Sequence, residues 1–330
     1  MKKVLLTGGH AVTTAISVIE ELIRRYGKEG IDISWIGVRF PVEGKKINGI
    51  ELKVFPEIKI KSYLIKLPVG FIRAVYFILK IKPDITLSFG GFAAFPVVFA
   101  SALFGIPVLI HEQTASLGFA NKLSSIFAKE ILLAKEVGNP VMTQICDVQP
   151  KTVLGNPPVI FVMGGSRGSE RINDAVFSVL PKLLDKYRVI HLTGESDCER
   201  FEGMGSKKNY RCFSFVSPLQ IDNLYRESDI VVSRSGANTV AELMVVKRPA
   251  ILIPIPWSHL NEQGENAKLA QKFGLARILK QEDLSGERLL FEIDSLIKDW
   301  SIIVSNIKSK HSGDLSASSK VVDVLTKYLK

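Results

Sequence analysis

The sequence predicts an α/β protein made of two Rossmann-like domains in tandem, with parallel sheets facing a central cleft. Three observations predict it. Short apolar runs alternate with amphipathic helical stretches along the chain. The alternation restarts at Val159, where a strand, a glycine-rich turn and a helix follow one another as they do from Lys3. A concentration of turn signals separates the two runs: Asn139-Pro140, Gln149-Pro150 and Gly155-Asn156-Pro157-Pro158. The expected division is an N-terminal domain over residues 1–150 and a C-terminal domain over residues 151–330. The tail from Asp314 to Lys330 reads as one last helix, free to cross back to the N-terminal domain.

The elements can be read in order. Lys3 to Thr7 reads as a strand, and from Thr14 to Tyr26 the positions Ala15, Ile16, Ile19, Leu22, Ile23 and Tyr26 fall on one helical face. Ile33 to Val38, Ile85 to Phe89, Pro107 to Ile110 and Ile131 to Ala134 complete the first set of strands. The second set is Val159 to Met163, Val189 to Thr193, Cys212 to Phe215, Ile230 to Ser233 and Ala250 to Ile253. A helix over Ser169 to Leu184 follows the glycine-rich loop Gly164 to Gly168. Continuous apolar strands imply sheets covered on both faces, which is the parallel arrangement.

Composition agrees with two globular cores. The 330 residues exceed one ordinary core and suit two of about 150 each. Hydrophobic residues make up 46% and charged residues 23%, so the chain is not of the disordered class. A mean hydropathy of +0.19 leaves room for exposed apolar surface as well. The net charge of +10 suits an anionic partner, whether nucleic acid, membrane phospholipid or a phosphorylated substrate, although a solvated basic surface also accounts for it. Cys146, Cys198 and Cys212 form neither a CxxC pair nor a Cys/His cluster, so we expect reduced thiols in a cytoplasmic protein. The apolar run at the start is only Val4 to Leu6 before a Gly-Gly turn, which reads as a first strand and not as a secretion signal. No stretch of about 20 apolar residues exists to span a membrane.

Several motifs gather where strands should end. Thr7-Gly8-Gly9-His10 opens the first helix; paired glycines admit a ligand to the backbone, and a histidine there could accept a proton from a hydroxyl. A tight turn with a capping histidine would look the same. Phe89-Gly90-Gly91-Phe92 repeats the device, and His111-Glu112-Gln113, with Asn121-Lys122, follows a later strand. Close helix–sheet packing and a buried polar network are the rival explanations. Gly164-Gly165-Ser166-Arg167-Gly168 is a candidate phosphate loop, without the GxxxxGK[ST] pattern of a Walker loop. Ser233 to Thr239 leads into a helix carrying Glu242, whose carboxylate could accept both hydroxyls of a ribose or simply favour the helix start. Glu262-Gln263 with Asn266 supplies amide side chains suited to sugar hydroxyls, or to capping. The segment Tyr63 to Lys82 interleaves apolar residues with Lys66, Arg73, Lys80 and Lys82, as in a helix lying on an anionic bilayer; a buried helix with snorkelling cations is the alternative.

In this order the motifs resemble the MurG family of undecaprenyl-pyrophosphoryl-muramoyl-pentapeptide N-acetylglucosaminyltransferases. The resemblance covers nearly the whole chain and is carried by FGGF, GIPVLIHEQ with ANK, GNP, GGSRG, RSGANTVAE and EQGENA. It implies the two-domain GT-B fold and inverting transfer from UDP-N-acetylglucosamine to lipid I, forming lipid II in cell-wall synthesis. It implies a donor side at Ser166, Arg234, Ser235, Gly236, Thr239, Glu242 (ribose), Gln263 (sugar hydroxyls) and Val216 (uracil edge, with Phe215). The acceptor side would be Gly8, Gly9, Gly90, Gly91 and Asn121, with His10 as base, aided by Glu112. The membrane patch would include Leu67, Phe71, Arg73, Phe77 and Lys80, placing the protein peripherally on the cytoplasmic face of the cell membrane. No nucleic-acid partner is implied. No cofactor is expected, since the nucleotide sugar is a substrate, and without a DxD motif no catalytic metal is expected either. The chain departs from the family pattern at Leu5, Leu6, Thr13, Thr114, Met142 and Leu260. The rival activities are a GT-B transferase acting on another lipid such as a diacylglycerol, a UDP-sugar epimerase or hydrolase, and a non-enzymatic nucleotide-sugar binder.

Overall fold

A computed structural model describes residues 1–9, 11–37, 46–47, 50–51, 53–55, 67–114, 117–165, 168–202, 204 and 209–329. The chain divides into two compact units, Met1–Thr143 with Gly313–Lys330, and Gln144–Ser312.

The first unit runs β1 (Lys2–Gly8), α1 (Val12–Gly30), β2 (Ile31–Gly37), β3 (Lys46–Ile47), β4 (Ile50–Glu51), β5 (Lys53–Phe55), α2 (Leu67–Ile81), β6 (Ile85–Ser88), α3 (Phe95–Leu103), β7 (Val108–Glu112), α4 (Phe119–Ser124), β8 (Glu130–Leu133) and α5 (Ala134–Val137). Its six-stranded parallel sheet has the order β5-β2-β1-β6-β7-β8. Val4, Leu5 and Leu6 of β1 are wholly buried, as a central strand covered on both faces requires. Leu5 and Leu6, which depart from the family's glycines, are thus core residues of the sheet. Regular helix in α1 ends before Gly27, whose φ of 67° is non-helical.

The second unit repeats the plan after α6 (Thr143–Cys146): β9 (Val159–Met163), α7 (Glu170–Lys186), β10 (Arg188–Leu192), α8 (Cys198–Glu202), β11 (Tyr210–Phe213), α9 (Ile221–Glu227), β12 (Ile230–Ser233), α10 (Ala237–Val246), β13 (Ala250–Leu252), α11 (Glu262–Phe273), β14 (Ala276–Ile278), α12 (Gly286–Lys298) and α13 (Trp300–Ile307). The sheet order is β11-β10-β9-β12-β13-β14, again parallel throughout. Its core joins Ile160 and Val162 of β9 to Val176, Leu180 and Leu183 of α7 and to Leu289, Ile293 and Trp300. The buried Asp229 carboxylate before β12 accepts from Val159 N (2.7 Å), Gly155 N (3.2 Å) and Lys151 Nζ (2.8 Å), which fixes the chain entering the sheet.

Both sheets therefore share one strand order, third-second-first-fourth-fifth-sixth. In such sheets the direction of strand succession reverses beside the first strand, and the loops leaving the first and fourth strands diverge to leave a crevice at their C-terminal ends. Here those pairs are β1/β6 and β9/β12. The three-residue edge strands β5 and β14 extend the expected sheets by one strand each. The expected strand Cys212 to Phe215 ends at Phe213, so Phe215 stands in the following loop, 52% exposed.

The C-terminal α14 (Ala317–Thr326) belongs to the first unit. Arg25 of α1 donates to Ser319 O (2.9 Å), Ser319 Oγ (2.7 Å) and Asp323 Oδ1 (2.6 Å), and Tyr328 OH donates to Glu130 (2.7 Å). The chain entering this tail passes close to Gly138, which has φ 89°; a Cβ there would lie 2.7 Å from Gly313 O. Gly138→Ala should lower the stability of this unit by roughly 2 kcal/mol or more, since left-handed strain and overlap add. Chemical denaturation, with hydrogen exchange in α14, would measure it.

Candidate functional site

In the first unit, the β1 and β6 ends are stitched together. Phe89 N donates to Thr7 O (2.8 Å) and Gly9 N to Gly90 O (2.9 Å). Gly90 and Gly91 have φ of 82° and 90°, which a side chain would strain. A Cβ on Gly90 would also lie 2.6 Å from the Asn121 amide, so the loop rests directly on that side chain. His10 lies outside the described residues.

Glu112 ends β7 and is buried. Oε1 accepts from Thr114 N (3.1 Å) and Thr114 Oγ1 (2.9 Å); Oε2 accepts from Gly118 N (2.9 Å) and Asn121 Nδ2 (2.8 Å). Four donors occupy the acceptor positions of a carboxylate. Glu112 is expected to aid proton removal; in the structure its lone pairs are taken up by Thr114, Gly118 and Asn121. Thr114, where the family has asparagine, serves as a double donor. Asn121, 5% exposed, shapes the glycine edge from beneath. Thr7 Oγ1, His111 Nδ1 and Asn121 Oδ1 are buried without hydrogen-bond partners among the described residues, all near these strand ends.

In the second unit, α10 starts at Ala237 behind Gly236, an N-cap residue that has no side chain of its own to cap the helix. Gly165 (φ 86°) has open space where a Cβ would stand, whereas one on Gly164 would strike Ser169 N at 2.2 Å. Helix starts carry partial positive charge, so the end of the second sheet that bears α7 and α10 is a candidate place for an anion. Ser166 and Arg167 lie outside the described residues. Arg234 joins the two loops from below, donating to Ser169 Oγ (2.9 Å), Gln281 Oε1 (2.7 Å) and Ile253 O (3.0 Å). It is 7% exposed, and Nε has no partner among the described residues; its bonds tie Ser169, at the start of α7, to the end of β12. Ser235 Oγ donates to Gln263 O (2.8 Å), and Asn266 Nδ2 to Ser235 O (3.1 Å), anchoring α11 beside α10. Ile255 N donates to Gln263 Oε1 (3.1 Å), which fixes the orientation of that side-chain amide. Thr239 is half-buried one turn into α10. Glu242, one turn further, is half-buried, and Tyr225 OH donates to its Oε2 (2.8 Å). Burial pushes its carboxyl up to about 7, against the lowering effect of that hydroxyl. Val216 is half-buried in the loop after β11.

The structure thus brings together Arg234, Ser235, Gly236, Thr239, Glu242 and Gln263 around one strand end. Ser169, Tyr225 and Gln281 join them with no signal in the sequence, since each is an ordinary helix or turn residue locally. Among the described residues no group of three His, Cys, Asp or Glu side chains gathers as metal ligands do. A cavity of about 260 Å³ lined by Lys151, Lys247, Lys308 and Ile307 lies by the N-terminal ends of the strands, away from this edge.

Helix α2 divides by the 3.6-residue period. Ala74, Phe77, Ile78 and Ile81 face the core with Leu5, Ile36 and Val97. Phe77 is therefore not a surface residue, which corrects its place in the expected patch. Phe71 is half-buried edge-on to Phe95 (5.8 Å) and Phe99 (5.0 Å). The outward face instead carries Val69, Ile72, Tyr76 and Leu79 with the exposed Arg73 and Lys80. Only the backbone of Leu67 is described, and residues 63–66 lie outside the described set. Exposed Leu123 and Ile126 continue the apolar surface beside α3, to which Phe127 is joined by a ring contact with Phe99 (5.4 Å). Among the described residues no helix is long and apolar enough to cross a membrane.

Two Rossmann-type units, each with a glycine-lined edge where strand succession reverses, define the GT-B class of nucleotide-sugar proteins. Models of the glycosyltransferase family 28 N-terminal and C-terminal domains match residues 6–133 and 159–319. The UDP-N-acetylglucosamine–N-acetylmuramyl-(pentapeptide) pyrophosphoryl-undecaprenol N-acetylglucosamine transferase of Clostridium kluyveri is 31% identical over 99% of this chain and 100% of its own length. The second such transferase of Bacillus cereus is 31% identical over 95% of this chain and 96% of its own. The fold is similar to that of MurG from Acinetobacter baumannii (TM-score 0.72, 24% identity, 99% of this chain and 100% of the other). It is also similar to that of the UDP-GlcNAc 2-epimerase of Neisseria meningitidis bound to UDP-GlcNAc (TM-score 0.70, 15% identity, 98% and 100%). The chain belongs to glycosyltransferase family 28 and, within it, to the MurG family that these full-length relatives represent.

Two buried imidazoles sit close to these edges. His111 Nε2 donates to Gly138 O (3.1 Å), and burial lowers its pKa to about 4, against the raising effects of that carbonyl and of Glu112. His191 bridges Tyr210 OH and Asn173 Oδ1, both at 3.0 Å, and burial lowers its pKa to about 3. Unfolding lets each take up a proton near pH 6.5. Stability is full above that pH and falls as pH drops toward the folded values. Urea denaturation should lose about 2 kcal/mol per imidazole between pH 7 and 4.5. His111→Gln and His191→Gln should each flatten that slope.

Proposed function

We propose that the chain transfers N-acetylglucosamine from UDP-N-acetylglucosamine to lipid I, the undecaprenyl-pyrophosphoryl-N-acetylmuramyl pentapeptide, giving lipid II. The observation that carries this reading is full-length identity at 31% with transferases named for that reaction, spanning both glycine-lined edges. In this reading the second unit holds the donor. The amides of the 164–168 loop and of the α10 start meet the diphosphate, where charge grows as UDP departs. Glu242 receives the ribose diol, Gln263 the sugar hydroxyls, and Phe215 with Val216 edges the uracil. Arg234 supports the phosphate loop and adds positive charge below it. The first unit holds the acceptor along Gly8, Gly9, Gly90 and Gly91, with Asn121 beneath. His10 takes the proton of the attacking hydroxyl as the new bond forms at the anomeric carbon and the bond to UDP breaks. Glu112 keeps the loop beside this edge in place.

Radiolabelled UDP-N-acetylglucosamine offered with lipid I, with diacylglycerol or without lipid tests the reading. Label should pass only to the lipid I product, and His10→Ala should cut that turnover by about 100-fold or more while donor affinity persists. Label on diacylglycerol, or sugar released without lipid, would overturn the assignment.

The protein works as a peripheral protein on the cytoplasmic membrane face, where nucleotide sugars are available, with the outward face of α2 against the lipid. Apolar Ile72, Tyr76 and Leu79 beside Arg73 and Lys80 combine burial with attraction to anionic headgroups. Replacing Ile72 and Leu79 together by Gln should weaken sedimentation with anionic phospholipid vesicles by at least about tenfold. Raised salt should weaken wild-type binding further.

A further inference from the structure

We propose that Tyr225 is a positioning residue of the nucleotide site, its hydroxyl fixing the Glu242 carboxylate so that it receives both ribose hydroxyls and favours ribose over 2′-deoxyribose. The proposal rests on the placement of the ribose at Glu242 given above.

A glutamate has three rotatable side-chain bonds, so a carboxylate that must meet two hydroxyls at fixed spacing needs something to hold its plane. Tyr225 is the hydrogen-bond partner Glu242 has among the described residues, donating to Oε2 at 2.8 Å. That bond occupies one acceptor position and leaves Oε1 and the remaining position on Oε2 for a diol. Burial raises the phenol well above its ordinary range, so it remains a donor wherever the protein is folded.

The phenol is itself immobile. Tyr225 is wholly buried near the end of α9, with its ring edge-on to Phe161 of the central strand β9 (5.8 Å, 81°). Behind it, Arg248 is 1% exposed and donates to Tyr225 O and Ser228 O, both at 3.0 Å, to Val246 O at 2.8 Å and to Gln149 O at 3.1 Å. A helix leaves its last carbonyls unpaired and carries partial negative charge at that end, and the guanidinium meets both needs for α9. The tyrosine backbone is pinned and its ring is wedged, so the glutamate must adapt to the phenol. The path from Arg248 through Tyr225 to Glu242 runs through packed, hydrogen-bonded groups of one unit.

Calorimetric titration of the full chain tests this with UDP-N-acetylglucosamine, which has no phosphate ionisation near neutrality, and with its 2′-deoxyuridine counterpart. Tyr225→Phe keeps the ring and removes only the hydroxyl. It should weaken UDP-N-acetylglucosamine by about tenfold. It should shrink the preference over the 2′-deoxy ligand toward unity and move the pH of half-maximal affinity upward, with the far-ultraviolet circular dichroism of the wild type. A merely structural tyrosine would move neither the ribose preference nor that pH. If Glu242→Gln loses affinity and preference while Tyr225→Phe keeps both, the positioning role is overturned and the nucleotide placement stands. If Glu242→Gln also binds as the wild type does, both fall together.

Discussion

Parallel pairing of the first and fourth strands is the constraint on which the rest of each unit depends. Thr7 lies opposite Ser88 and Met163 opposite Ser233, so both strands of each pair end at the same level. Because every strand runs the same way, every following loop and helix start emerges at one edge. Succession reverses beside β1 and β9, so the loops there part instead of crossing and leave a crevice at the strand ends. Gly9 meeting Gly90, and Arg234 meeting Ser169, are local consequences of that register.

The polar residues of the motifs divide into two kinds of work. Glu112, Asn121, Arg234 and Ser235 are buried and engaged with the protein, and they give the loops their shape. In the proposed donor site the groups assigned to the ligand are backbone amides at the α10 start and the glycine-rich loop, with Glu242 and Gln263 at the margin. This follows from desolvation. A buried carboxylate or guanidinium is stable only when its hydrogen-bonding positions are filled, and the nearest backbone fills them. Amides of a helix start, in contrast, stay unpaired at no comparable penalty while they face solvent or an anion.

Much of the fold was legible because buried parallel strands are nearly continuous apolar runs and amphipathic helices keep their period. Two of the edge strands were not: β5 and β14 have three residues each, and no glycine-rich or polar motif marks their ends. In α2 the difficulty was orientation, because an almost uniformly apolar helix does not reveal which side meets the sheet. Phe77 and Ile72 are alike by composition, and only the packing of α2 on α3 and β1 turned one inward and the other out.

The sequence by itself determined the two α/β units, the positions of the glycine loops at strand ends and the family, because these depend on local periodicity, turn chemistry and ordered motifs. Tertiary structure alone decided what each polar side chain touches. That Glu112 is saturated, that Tyr225 reaches Glu242 across 17 residues, and that α14 returns to α1 across nearly the whole chain are facts of space. Hydrogen bonds depend on distances of about 3 Å and on direction, and neither is encoded in spacing along a chain once it has folded back on itself.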